Sequence, residues 1–118
     1  IILMEEGPVI MDFEEVCNYY RAFDIGMAIV GTCTSFKKVD LVKSRQLISG
    51  YQSVNKLTEL ETNRLCLFIT YAAAATGFWR FKQFNILMSD SHQKNSYLEM
   101  LHIADNAKSI SGEELLVK

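Results

Sequence analysis

Pro8 is the only proline among the 118 residues. A proline inside a helix removes a hydrogen bond and clashes with the preceding turn. Beyond Pro8 nothing forbids long helices, and the chain after Asp12 reads as helical throughout. The dozen residues before that read differently. Ile1-Ile2-Leu3-Met4 and Val9-Ile10-Met11 are short apolar, β-prone runs, and Glu5-Glu6-Gly7-Pro8 between them is a turn signal. Two such runs around a Gly-containing turn predict a β-hairpin, one that is marginal on its own. The expected fold is therefore mainly α: one domain over 1–118, with an N-terminal β-hairpin over 1–12 followed by a bundle of about four helices over 13–118.

Composition excludes several classes. Hydrophobic residues make up 49% and charged residues 22%, with a net charge of −2. That balance supports a core and argues against disorder. No basic cluster marks a nucleic-acid partner, and no run of ~18 apolar residues free of charge marks a membrane span. Cys17, Cys33 and Cys66 are odd in number and widely spaced, without a CxxC. They predict free core or surface thiols in a reduced, cytoplasmic setting rather than disulfides or a zinc site.

Four helices are expected. Phe23 to about Thr34 is apolar and should be largely buried, with Gly26 and Gly31 allowing a neighbouring backbone to approach. Asp40 is a candidate N-cap for a helix to Val54. Thr58 and Glu61 form a capping box whose loss would cost about 1 kcal/mol. The helix it starts should run to about Phe84, roughly 40 Å. Leu65, Phe68, Ile69, Ala72, Ala73 and Thr76 line one side of it, and Leu67, Tyr71, Ala74, Phe78 and Phe81 the other. A helix apolar on two sides is expected to be central, with neighbours on both. A fourth helix spans about Asn95 to Ser109. Ser111 and Glu114 make a second capping box before a short end segment.

The candidate chemistry lies in residues 9–26. Val9-Ile10-Met11-Asp12 reads as a strand ending in an acid. A carboxylate fixed at a strand exit suits Mg²⁺, which takes oxygen ligands and commonly one or two protein carboxylates beside substrate phosphates. The alternative is that Asp12 merely caps a turn. Asp24 stands within the apolar run Phe23–Val30 and is expected to be buried, as a cap or as a tether to a loop. Glu14 and Glu15 are candidates for a second metal or a substrate ammonium group, or are solvated acids. Arg21 could pair with an acid or touch phosphate. Tyr71, Trp79 and Arg80 could line a substrate pocket, with Arg80 on a carboxylate or the aromatic rings around an ammonium, or belong to the core.

Val9-Ile10-Met11-Asp12-Phe13-Glu14, then Asn18, then Phe23-Asp24-Ile25-Gly26, resembles the second half of the active site in the aminoglycoside phosphotransferase and choline kinase superfamily, whose fold is protein-kinase-like. Gly50-Tyr51-Gln52-Ser53-Val54, Leu57-Thr58, Glu61, Phe78-Trp79-Arg80-Phe81 and Gln83-Phe84-Asn85-Ile86 are similar to stretches of type II homoserine kinases. Tyr20-Arg21-Ala22-Phe23-Asp24-Ile25-Gly26 also resembles choline kinases. The resemblance implies the C-terminal lobe of an ATP-dependent small-molecule kinase. It implies that Asp12 binds Mg²⁺ on the nucleotide phosphates and that Asp24 supports the catalytic loop from a buried helix. The acceptor it implies is the hydroxyl of homoserine, with choline, ethanolamine or an aminoglycoside as alternatives.

The family's His-Gly-Asp catalytic loop, its metal-binding Asn, its glycine-rich loop and its nucleotide-binding Lys precede the hairpin and have no counterpart in this sequence. Phosphoryl transfer needs these parts together, so the 118-residue chain alone is expected to be inactive and its apolar hairpin to drive dimerisation. The competing expectation is a non-catalytic helical interaction module, with the helix after Thr58 as its interface.

Overall fold

The computed structural model describes residues 2–12 and 17–116. The chain is mainly helical with two small antiparallel hairpins. In order, the elements are β1 (Ile2–Met4), β2 (Gly7–Val9), α1 (Arg21–Thr32), β3 (Thr34–Ser35), β4 (Lys38–Val39), α2 (Leu41–Val54), α3 (Glu59–Phe81), a π-helical continuation (Lys82–Leu87), α4 (Tyr97–Lys108) and α5 (Gly112–Leu116).

Helix starts follow the caps. The Asp40 carboxylate accepts from the N–H groups of Val42 and Lys43, both at 3.1 Å, and starts α2. Thr58 and Glu61 form the expected reciprocal box at the head of α3. Ser111 and Glu114 do the same for α5, at 2.7 and 3.2 Å.

The core lies where α3 crosses α1 and α4. Ala22, Ile25 and Ile29 recur on one stripe of α1. Leu65, Ile69, Ala72 and Ala73 come from α3, and Met100, Ile103, Ala104 and Ala107 from α4. Ile48 of α2 and Leu115 of α5 close the ends. Small residues set the spacing. A Cβ at Gly26 would stand 2.8 Å from the Phe68 carbonyl oxygen, so α1 and α3 touch backbone to backbone there. A Cβ at Gly77 would meet the Met100 Cβ at 3.2 Å and the Tyr97 carbonyl oxygen at 3.6 Å, so α4 also comes close, though less so than α1. Gly31, expected to serve the same purpose, faces open space.

Four expectations need correction. The N-terminal hairpin turns on Glu5-Glu6, and Gly7 and Pro8 belong to β2 opposite Met4 and Leu3. Gly7 carries a φ of 125°, which glycine alone adopts without strain. The chain after Asp12 is not wholly helical, because α1 stops at Thr32 and a second hairpin follows. Its two-residue turn places Phe36 and Lys37 at φ 51° and 62° without a glycine, so the usual Asn-Gly signal for such a turn is missing. Asn106 of α4 holds this hairpin by accepting the Val39 N–H at 2.9 Å. The α-helical register of α3 ends at Phe81 rather than Phe84, and a π-helical stretch continues it. Finally, α3 buries one side only, and on the other just Tyr71 and Phe81 lean their rings on Phe23 of α1 and Tyr97 of α4. Leu67, Tyr71, Ala74, Phe78 and Phe81, expected to face a neighbour, are exposed.

Candidate functional site

Asp12 is the residue on which the expected chemistry turns. It does not sit at the strand exit, because β2 ends at Val9 and Ile10-Met11-Asp12 run on beyond it. Asp12 has a φ of 72°, in the left-handed region that Asp tolerates better than most residues. It is exposed, and among the described residues no hydrogen bond or ion pair engages its carboxylate. No group of three or more His, Cys, Asp or Glu that could hold a metal ion occurs among the described residues. A Mg²⁺ ion held by Asp12 would take at most two such ligands from these residues and the rest of its shell from phosphate and water, a set this cation accepts. Glu14 and Glu15 lie outside the described residues.

Asp24 is exposed, contrary to its expected burial. It lies in the first turn of α1, where Ala22, Ile25, Gly26 and Ile29 face inward. A helix turns 100° per residue, so apolar neighbours in sequence do not bury the residue between them. The tether expected of Asp24 has no partner among the described residues.

Arg21 is committed to structure. Its Nε and Nη2 bind the two Glu61 oxygens at 2.5 and 2.6 Å, its Nη1 reaches Asn55 Oδ1 at 2.6 Å, and Nη2 also reaches the Lys56 carbonyl at 2.9 Å. This fork fixes the start of α1 to the α2–α3 connection. Glu61 answers to both the arginine and its own cap. Its Oε2 accepts the Thr58 N–H and hydroxyl at 2.8 Å each. The Arg21 hydrogen bond, followed by those from Thr58, lowers the Glu61 carboxyl from its ordinary 4.5 to about 2. The same pairing raises the Arg21 guanidinium above its ordinary value. Of the two roles left open for Arg21, pairing with an acid is the one observed.

Arg80 is likewise engaged, with Glu99 at 2.9 Å and the Ser96 carbonyl at 3.1 Å, tying the end of α3 to α4. Trp79 is exposed and meets Phe84 edge to face at 6.0 Å. Tyr71 joins a separate aromatic group. Phe23 lies 5.4 Å from it, Tyr19 stacks edge-on to Phe23 at 5.3 Å, and Tyr20 leans on Phe68 at 5.9 Å. Partial burial, then the neighbouring Tyr71, raises the Tyr19 hydroxyl above its ordinary value. Tyr71, Trp79 and Arg80 thus do not converge on one pocket. Cys66 offers no activated nucleophile, since burial pushes its thiol up. All three cysteines are free.

The sequence did not point to the concavities of the surface, two of which border the helices of the core. A groove between α2 and α5, about 760 Å³, has Arg45, Gln52, Lys56 and Leu115 among its walls and holds no acid. A smaller cup of about 330 Å³ is lined by Tyr19, Arg64, Leu67, Phe68 and Tyr71. Only Tyr71 of the candidate residues lines either. The signal for the cup was present as the 64, 67, 71 spacing of α3.

No protein-family model, curated protein or solved structure matches this chain. Among the described residues no helix is long and apolar enough to cross a membrane.

Proposed function

We infer that this chain is the C-terminal portion of an ATP-dependent small-molecule kinase that transfers the γ-phosphate to a hydroxyl, with homoserine as the first choice of acceptor and choline, ethanolamine or an aminoglycoside as alternatives. The reading rests on the run Val9–Glu14, Asn18 and Phe23–Gly26. The observation that carries it is the Asp12 carboxylate, which leaves the hairpin exposed and without any other partner among the described residues. A carboxylate free in this way is available to nucleotide-bound Mg²⁺, whereas a structural brace would be paired.

In this reading Asp12 holds Mg²⁺ when nucleotide is bound, and the metal neutralises charge on the phosphates. Arg21 has a structural part: with Glu61 it fixes the first turn of α1 to the α2–α3 connection. Asp24 faces outward on α1 beside the exposed Tyr20 and Met27. The exposed Ile2, Leu3, Met4, Ile10 and Met11 of the hairpin are apolar surface that a nucleotide-binding lobe would cover. The compartment consistent with three free thiols is cytoplasmic.

The test is turnover by a polypeptide that joins this chain to such a lobe, against a panel of amino acids and amino alcohols. ATP-dependent phosphorylation of one hydroxyl, cut at least ~100-fold by Asp12→Asn with the fold intact, is expected. Normal turnover by Asp12→Asn contradicts the metal assignment. Phosphorylation by the 118-residue chain alone contradicts the reading as a portion.

A non-catalytic interaction module is the second reading, and the bare face of α3 favours it.

A further inference from the structure

The exposed positions of α3 are regularly spaced. Leu60, Arg64, Leu67, Tyr71, Ala74, Phe78 and Phe81 are all exposed. Their separations alternate between four and three residues along the helix. This 3.5-residue period is the seam by which one helix packs against another. It lies opposite the stripe of Leu65, Ile69, Ala72 and Ala73, which is already buried.

We propose that this seam is the two-fold interface between two copies of the chain, with their α3 helices antiparallel. A two-fold axis crossing α3 at the level of Ala72 and Ala73 sets Leu67 against Phe78 of the second copy, Tyr71 against Ala74, and Arg64 against Phe81.

Three features of the surface fit that occupant. The first is shape. The cup formed by Tyr19, Arg64, Leu67, Phe68 and Tyr71 is about 330 Å³. A cavity of about 150 Å³ already accepts a benzene ring, and the second copy's Phe78, 67% exposed here, arrives at the level of Leu67. The bulky Tyr71 meets the small Ala74. Each copy therefore offers both knob and hole, as a closed two-fold contact requires. The second is charge. Arg64 is the one charged residue of the seam, and among the described residues it makes no ion pair. Parallel helices would set Arg64 on Arg64, while the antiparallel register lays it on the Phe81 ring, a favourable cation–π pair. The third is area. Leu60, Leu67, Tyr71, Phe78 and Tyr19 are each more than half exposed. Covering them with their neighbours removes on the order of 700 Å² per copy, close to the ~800 Å² per partner of a standard interface. The proposal does not depend on the kinase reading, because no residue of the seam is Asp12, Asp24 or a phosphate ligand.

The test combines sedimentation velocity with disulfide trapping on the 118-residue chain. A reversible dimer is expected across a micromolar to sub-millimolar series. Phe78→Glu should weaken it at least ~10-fold with unchanged circular dichroism. With Cys17→Ser and Cys66→Ala as background, Arg64→Cys/Phe81→Cys should give a covalent dimer on oxidation, and each single variant should not. Within one chain the two sites stand roughly 25 Å apart along the helix and cannot bridge. The trapping result holds even if Phe78→Glu fails to fold. A monomer throughout the series, a dimer indifferent to a folded Phe78→Glu, or cross-linking by a single variant would overturn the proposal.

Discussion

The two sides of α3 are both apolar and meet opposite fates. One side, Leu65, Ile69, Ala72, Ala73 and Gly77, is buried. The other, Leu67, Tyr71, Ala74, Phe78 and Phe81, is exposed, with only the rings of Tyr71 and Phe81 leaning on Phe23 and Tyr97 among the aromatic neighbours described. The difference lies in size more than in hydropathy. Small residues at these contacts let the helices approach: a Cβ at Gly26 of α1 would strike the Phe68 carbonyl, and one at Gly77 of α3 would stand 3.2 Å from the Met100 Cβ. The exposed side is built of large rings at a coiled-coil period, which suits contact between separate helices. Apolar character says that a face wants cover, and side-chain size says how near the cover can come.

Truncation should separate the two sides most sharply. Ile69→Ala opens a cavity among fully buried neighbours and is expected to cost about 2–5 kcal/mol. Leu67→Ala, measured by denaturant unfolding at a concentration where the chain is monomeric, should stay within about 0.5 kcal/mol. Comparable losses would mean that the outer face is packed after all.

Gly26→Ala sharpens the same contrast at one atom. In an exposed helix interior this change gains about 0.5–1 kcal/mol. Here the added methyl meets backbone that cannot swing away, and a net loss of about 1–3 kcal/mol is expected in the melting curve. Gly31→Ala, in open space on the same helix, should show the ordinary gain.

Acid should act on the Arg21–Glu61 fork. The Glu61 carboxyl is lowered from 4.5 to about 2 in the folded chain. Its contribution is therefore full above about 4.5 and fades as pH falls towards about 2. Glu61→Gln should melt below the native chain at neutral pH, and the gap should narrow across that acid window. A gap that stays constant with pH would show that the charge on Glu61 is not what holds the joint.

The parts of this molecule that were legible in its sequence are those decided within a few residues. Asp40, Thr58 with Glu61, and Ser111 with Glu114 cap their helices because a side chain reaches its own first turn. Gly26 was legible as a point of close approach, though not which backbone would approach. The second hairpin was not legible, since Phe36 and Lys37 adopt positive φ without the residues that usually signal it. Asp24 was misplaced because its flanks in sequence are apolar while its helical face is not. Arg21 was legible as a charge in need of a partner, but Glu61 lies forty residues away and was already assigned to a cap. Tyr71, Trp79 and Arg80 looked like one pocket by proximity along α3, and their side chains point to three different neighbours.

Most direct of all is a calorimetric titration of Mg²⁺ with a non-hydrolysable ATP analogue into a polypeptide that joins this chain to a nucleotide-binding lobe of the proposed kind, beside the same protein carrying Asp12→Asn. Saturable, Mg²⁺-dependent binding that weakens at least ~10-fold in the variant is the predicted result. Equal affinity in both, or binding indifferent to Mg²⁺, would contradict the assignment of Asp12.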